Sequence, residues 1–204
     1  MKLVSIIIPH YNGKELLYNC INSIYQNIEI EDFEIIVVDN GSTDDSVQNI
    51  KQLFSKVVII HNQNNVGYSG GCNIGAKNAQ GKYLLFLNND TEHSERWIEK
   101  LVNFLDSHPG TFAVQPKILN ITNKEYFDYA GGAGGFLDHF GFPYVKGRIF
   151  NTLEKDTGQY DKSSEIFWSS GAAMMVRGDI FNKLNAFDEV YFAYMEEIDL
   201  CWRA

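Results

Sequence analysis

The sequence predicts an α/β fold: a mostly parallel sheet with helices on both faces. Three observations carry this. Short apolar, β-branched runs recur along the first half, of the continuous kind that strands buried on both faces show. Stretches with apolar residues three and four apart separate them, which is the spacing of amphipathic helices. Polar clusters rich in Asp and Asn follow directly on the strands, where open α/β sheets bind their ligands.

Residues 3–8 give the first strand, ending at Pro9-His10-Tyr11-Asn12. Leu16, Leu17, Cys20, Ile21, Ile24 and Tyr25 then recur at helical spacing. Residues 33–38 are the second strand, followed by Asp39-Asn40-Gly41-Ser42-Thr43-Asp44. Thr43 is expected to cap a helix carrying Val47, Ile50, Leu53 and Phe54, with Asp44 and Asp45 in its first turn. Residues 57–60 form a third strand, 71–79 a short helix, and 83–87 a fourth strand that ends at Asn88-Asn89-Asp90. Ser94 should cap a helix running through Trp97, Ile98, Leu101, Val102, Phe104 and Leu105, stopped by Pro109-Gly110. Residues 112–115 complete the strands of this half.

Beyond residue 118 the pattern changes. Gly131-Gly132-Ala133-Gly134-Gly135 and the aromatic stretch to Phe150 have no clear period and predict loops with short strands. Residues 155–164 are polar and expected to be exposed. A short strand at 166–169, a helix at 177–184 and the first turns of another at 196–203 follow. The expected organisation is one domain over residues 1–204, with a ligand-binding half (1–118) and a second half (119–204) that continues the sheet.

The chain has 204 residues, 45% hydrophobic and 21% charged, within the range of ordinary globular domains. Its formal net charge of −9 argues against a sequence-independent grip on nucleic acid, which needs a cationic footprint. Any polyanionic ligand must be handled locally, by backbone N–H groups or a metal. The three cysteines are unclustered, which reads as free thiols in a reducing compartment, with the cytoplasm as default. The N-terminal apolar stretch is too short for a signal peptide, and no apolar run approaches the ~20 residues that span a bilayer.

Several constellations bear on chemistry. Asp39, at a strand end, offers a carboxylate to a nucleobase N–H or ribose hydroxyls, and the same turn also reads as a helix cap. Asp90, in Asn88-Asn89-Asp90, can hold a hard divalent cation and leave positions for phosphate oxygens, or can simply end a turn. The glycines of residues 64–75 lack the G-x-G-x-x-G spacing; they serve either an anion or close packing. Glu196-Glu197-Ile198-Asp199 begins a helix. Glu196 and Asp199 should share a face there, with Glu197 about 100° away. These carboxylates read as a general base, or as charges favoured at a helix N-terminus. Burial beside Phe192, Tyr194 and Trp202 is expected to raise the pKa of the base. The five histidines show no ligand spacing; His10 stands out because it follows the first strand.

Taken in order, residues 5–12, 37–44, 64–75, 87–90, 170–172, 187–189 and 196–203 resemble the family 2 glycosyltransferases of the GT-A fold. The L-N-N-D and D-L-C-W-R variants look most like the rhamnosyltransferase-like subgroup of bacterial polysaccharide synthesis. The resemblance implies an inverting transferase, dependent on Mn²⁺ or Mg²⁺. It would move a sugar from a UDP- or dTDP-sugar to a hydroxyl of a saccharide or lipid-linked saccharide acceptor. Pro9, Tyr11, Asp39, Asn65, Asn73, Asn88 and Asn89 would line the nucleotide-sugar site, and Asp90 would hold the metal. Glu197 matches the catalytic base, with Glu196 beside it, and Trp168, Ser170 and Gly171 would line the acceptor side. Peripheral contact with the inner face of a membrane, through segments beyond Ala204, goes with such acceptors.

The sequence departs from the family pattern at three places. Asn88 stands where the D-x-D motif has its first Asp, Glu stands for Asp at 197, and the last helix is expected to continue past Ala204. These departures leave a catalytically inactive nucleotide-sugar-binding module as the alternative. A nucleotidyltransferase would want a Gly-rich loop with a Lys or Arg after the first strand, where Pro9-His10-Tyr11-Asn12 stands.

Overall fold

Alternation of side chains explains why the strands read as continuous apolar runs. In β1 (Lys2–His10), Ile6 and Ile8 face one helical layer and Ile7 the other, all fully buried. Each such burial contributes about 1.5–3 kcal/mol. The computed structural model of the chain describes residues 2–129 and 131–204, with Met1 and Ala130 outside the described residues.

The chain continues through α1 (Lys14–Asn27), β2 (Phe33–Asp39), α2 (Ser46–Leu53), β3 (Val58–His61), α3 (Gly67–Asn78), β4 (Gly81–Leu87), α4 (Trp97–Ser107) and β5 (Ala113–Val114). Two small hairpins follow, β6 (Gly135–Leu137) with β7 (Pro143–Val145) and β8 (Arg148–Ile149) with β9 (Thr152–Leu153). Then come β10 (Ala173–Arg177), α5 (Gly178–Lys183), a 3-10 turn at Glu189–Tyr191, and α6 (Glu196–Arg203). The central sheet has the order β3-β2-β1-β4-β10-β5. β1 pairs in parallel with both β2 and β4, and β3 with β2, whereas β10 runs antiparallel between β4 and β5. The chain thus winds one way from β1 to β3 and then crosses to β4, opening a crevice at the carboxyl ends of β1 and β4.

Helices α1 and α4 cover one face through Leu17, Cys20, Ile21, Ile24, Trp97, Ile98 and Leu105. The other face is covered by Cys72 of α3, Phe181 of α5, Phe187 and Leu200 of α6. Close approach of α3 to β1 depends on glycine: a Cβ on Gly75 would lie 2.3 Å from Ile7 Cγ2.

Four expectations are corrected. Thr43 does not cap α2, which starts three residues later; its own N–H is held by Asn12 Oδ1 at 2.8 Å. The helix instead begins at Ser46, whose N–H bonds to Asp44 Oδ1 at 3.2 Å, so Asp44 and Asp45 precede it. Ser94 does not cap α4; the Arg96 N–H donates to Asn27 O, and Arg96 turns left-handed (φ 56°) just before Trp97. Helix α3 starts at Gly67, taking in most of the glycine-rich segment, where the notch for Ile7 favours the packing role. Residues 166–169 make only an isolated bridge, Trp168 to Gly135. The strand that joins the sheet is β10, which the sequence patterning passed over.

Candidate active site

The three polar clusters at the strand ends meet. His10 lies in register with Asp39, and Asn89, just past β4, donates from Nδ2 to His10 Nδ1 at 2.7 Å. His10 Nε2 lies 2.8 Å from Ser46 Oγ, which donates in turn to Asp44 Oδ1. Burial lowers the His10 pKa against the pull of Asp44 and Asp39, so the ring is neutral, accepting at Nδ1 and donating at Nε2. Asn12, left-handed at φ 56°, ties the β1 loop to the β2 loop through its N–H to Ser42 Oγ at 2.9 Å.

Asp39 is buried, and burial alone would raise its pKa. The Ser42 N–H at 2.8 Å and His61 Nδ1 at 3.0 Å reverse that, holding the carboxyl below its ordinary value and therefore ionised. Pro9 is half-buried beside it, packed against the Gly71 notch of α3, and Tyr11 is exposed at the rim. Two other asparagines are used structurally. Asn65 Oδ1 accepts from the Gly67 N–H at 2.9 Å. Asn73 is buried and reads the Phe187 backbone with both ends of its amide, at 2.9 and 3.1 Å, so it faces the second half of the chain and not the open crevice.

Asn88 N–H donates to Ala172 O at 3.1 Å, and Asn88 O accepts from Thr91 Oγ1, which fixes the loop after β4. Asp90 is exposed and Asn88 half-buried. Among the described residues no group of three or more His, Cys, Asp and Glu side chains gathers for a metal. A carboxylate with a neighbouring amide oxygen still fits a hard cation that takes its other ligands from phosphate oxygens and water.

Glu196 and Glu197, the first residues of α6, form the second centre. Glu196 is 3% exposed, and each carboxylate has one buried oxygen, Oε2, without a hydrogen-bond partner. Burial and the charge of Glu197 push the Glu196 pKa up to about 7. Burial also raises Glu197, while its hydrogen bonds with the α6 backbone and Glu196 offset part of the rise. Burial of the two adjacent carboxylates favours a proton held between them. The expected grouping of Glu196 with Asp199 does not form: Asp199 is paired with Arg203 at 2.8 Å, and Arg203 also binds the Leu184 and Ala186 carbonyls.

The aromatics expected to bury this pair do not. Their place is taken by Tyr68 and Cys72 of α3 and Cys201 of α6, whose own pKa values are raised by burial and by the two glutamates. Tyr68 Oη donates to Gly171 O at 2.5 Å, one residue from the carbonyl that receives Asn88 N–H. The 169–172 segment thus bridges the β4 loop and the carboxylate pair. Ser170 is buried, its N–H on Gln115 Oε1 at 2.7 Å. Trp168, only 7% exposed, is a core residue: its Nε1 donates to Phe136 O, and a Cβ on Gly135 would lie 2.0 Å from its ring.

Tyr68, Cys72 and Cys201 escaped the sequence reading because nothing in their spacing ties them to residue 196. His10, noted for its position alone, proves to be the link between two loops. No helix among the described residues is long and apolar enough to cross a membrane.

The chain is 27% identical to a glycosyltransferase, GlyG, of Streptococcus pneumoniae, over 97% of this chain and 62% of that protein. It is 34% identical to the UDP-Glc:alpha-D-GlcNAc-diphosphoundecaprenol beta-1,3-glucosyltransferase WfaP of Escherichia coli, over 55% of this chain and 45% of that one. The chain spans about half the length of the curated relatives it matches. Among solved structures, GalNAc-T7 with UDP, GalNAc and Mn²⁺ superposes with a TM-score of 0.75 at 18% identity, covering 100% of this chain and 40% of that one. The fold is therefore GT-A. The model of "Glycosyl transferase family 2" matches residues 5–183, and the chain belongs to that family.

Proposed function

We propose that this chain carries the donor site and catalytic base of an inverting, divalent-metal-dependent glycosyltransferase. Its donor is a UDP- or dTDP-sugar, and its acceptor a hydroxyl of a saccharide or lipid-linked saccharide. The observation that carries the reading is the buried Glu196–Glu197 pair, joined through Tyr68 and the 169–172 segment to the Asn88-Asn89-Asp90 loop. Burial raises the pKa of the Glu197 carboxylate, toward the range in which a base works at neutral pH.

In this reading Asp39 accepts from the nucleobase or ribose, with Pro9 and Tyr11 alongside. Asp90, with Asn88, holds Mn²⁺ or Mg²⁺, which when bound neutralises charge on the departing diphosphate. Glu197 takes the proton of the acceptor hydroxyl as that oxygen attacks the anomeric carbon from the face opposite the diphosphate. Glu196 keeps the shared proton and sets the basicity of Glu197. The relatives that act on UDP-glucose or were solved with UDP support a uridine donor. Residues 1–118 would then form the donor half and 119–204 the acceptor half of one domain.

A thermal-shift panel with UDP, dTDP, GDP and ADP, each with Mn²⁺ or EDTA, tests the donor site. A ligand at 100 times its Kd adds about 2.7 kcal/mol. A shift with a pyrimidine diphosphate, present with Mn²⁺ and lost in EDTA and in Asp90→Ala, is expected. No shift with any of the four nucleotides would overturn the reading. Metal-dependent binding without sugar turnover would identify the inactive binding module instead.

A further inference from the structure

The segment leading into α6 holds its backbone in an unusual state. Phe192 (φ 55°), Tyr194 (φ 72°) and Met195 (φ 73°) all lie in the left-handed region, uncommon for bulky residues and kept only where the surroundings over-determine it. The restraint is visible. Phe192 O accepts the Ser69 N–H at 3.1 Å, and α3 begins there with Gly67, where a Cβ would lie 2.3 Å from that same oxygen. Burial of the rings does not hold this conformation, since Phe192 is 53% and Tyr194 85% exposed. The chain is thus clamped to present aromatic rings to solvent directly before Glu196 and Glu197, whose Oε2 atoms are buried without partners.

We propose that this segment is the acceptor platform, with the Tyr194 ring stacking on the C–H face of a pyranose whose hydroxyl is offered to the carboxylate pair. This rests on the glycosyltransferase reading and narrows its acceptor to a ring sugar. An aromatic face is electronegative and pairs with the weakly positive C–H face of a pyranose, while Glu197, less deeply buried than Glu196, is the carboxylate that a sugar hydroxyl can reach. A phosphate-bearing alditol supplies hydroxyls but no flat C–H face. It would also bring negative charge against a segment whose charged residues between 188 and 199 are all acidic: Asp188, Glu189, Glu196, Glu197 and Asp199.

The test is saturation-transfer NMR with methyl glycosides of glucose, N-acetylglucosamine, galactose and rhamnose, and with ribitol 5-phosphate, each in the presence of UDP and Mn²⁺. Tyr194→Gly is the removing variant, because glycine suits the left-handed backbone and the fold is retained; Tyr194→Phe keeps the ring. The wild type and Tyr194→Phe should show transfer to the ring C–H protons of at least one methyl pyranoside and none to ribitol 5-phosphate. Tyr194→Gly should lose about tenfold or more in pyranoside affinity, with its melting temperature and UDP binding unchanged. Equal pyranoside binding by wild type and Tyr194→Gly, preference for ribitol 5-phosphate, or no pyranoside binding by a wild type that binds UDP would each overturn the platform. Failure of the wild type to bind UDP would overturn the donor reading instead, and the comparison of pyranoside binding between variants stands independently of it.

Discussion

Asn89 donates to His10 Nδ1 at 2.7 Å, so the loop after β4 is positioned by a neutral histidine at the end of β1. The other ring nitrogen reaches Ser46 at the start of α2, which joins the loop after β4 to the α2 side of the crevice. His10→Phe substitutes a somewhat larger apolar ring, takes the acceptor from Asn89 Nδ2 and leaves Ser46 Oγ with Asp44 alone. It should cost about 1–3 kcal/mol of stability and weaken UDP–Mn²⁺ binding. Urea denaturation and calorimetric titration check both; unchanged values would make the link incidental.

The glutamate pair sets a pH dependence of definite sign. Glu196 titrates at about 7 in the folded chain and near 4.5 when unfolded, so the stability it confers is fully present below about 4.5 and is lost as pH rises through about 7. Glu196→Gln should flatten that slope and stabilise the fold at pH 8 by about 1–3 kcal/mol relative to wild type. Glu196 also holds the Glu197 pKa down through their hydrogen bond. Glu196→Ala removes that bond, so the acid limb of the transfer rate should move to higher pH, a shift that a pH–rate profile measures.

Asp39 has the opposite sign. Its pKa is held below 3.8, so its contribution is present above that value and lost as pH falls through the folded pKa. Asp39→Ala frees the Ser42 N–H and His61, and should cost about 1.5–3 kcal/mol together with most of the affinity for UDP. Melting curves and titration at pH 7 and pH 3 separate the two effects.

The glycines divide into required and free positions. Gly135→Ala places a methyl 2.0 Å from Trp168 Cε2 and should destabilise by about 1–3 kcal/mol, whereas Gly110 has nothing within 4 Å of its added Cβ and should be near neutral. A melting comparison of the two alanine variants decides this.

The parallel half of the fold was legible because strands buried on both faces and one-sided helices leave distinct periods in the sequence. The meeting of the polar clusters was legible because each lies at a strand end, as His10, Asp39 and Asn88 do. Strand β10 was not, since its Ala173-Met174-Met175-Val176 run is short and its place between β4 and β5 is a long-range choice. Trp168, expected on the acceptor side, turned out to be core because its partner, Gly135, lies 33 residues earlier and pairs only in three dimensions. Asn73 met the Phe187 backbone for the same reason. Two helix starts shifted because other groups hold the N–H groups that the expected caps would receive: Asp44 holds that of Ser46, and the Asn27 carbonyl that of Arg96.

The most direct measurement of the central claim is UDP release from a panel of UDP-sugars with a methyl pyranoside acceptor, for wild type and Glu197→Gln side by side. The account predicts Mn²⁺-dependent release by the wild type and a loss of about 10²-fold or more in Glu197→Gln, with UDP affinity within about twofold of wild type. Equal release by the two proteins would contradict the assignment of Glu197 as the base and with it the mechanism.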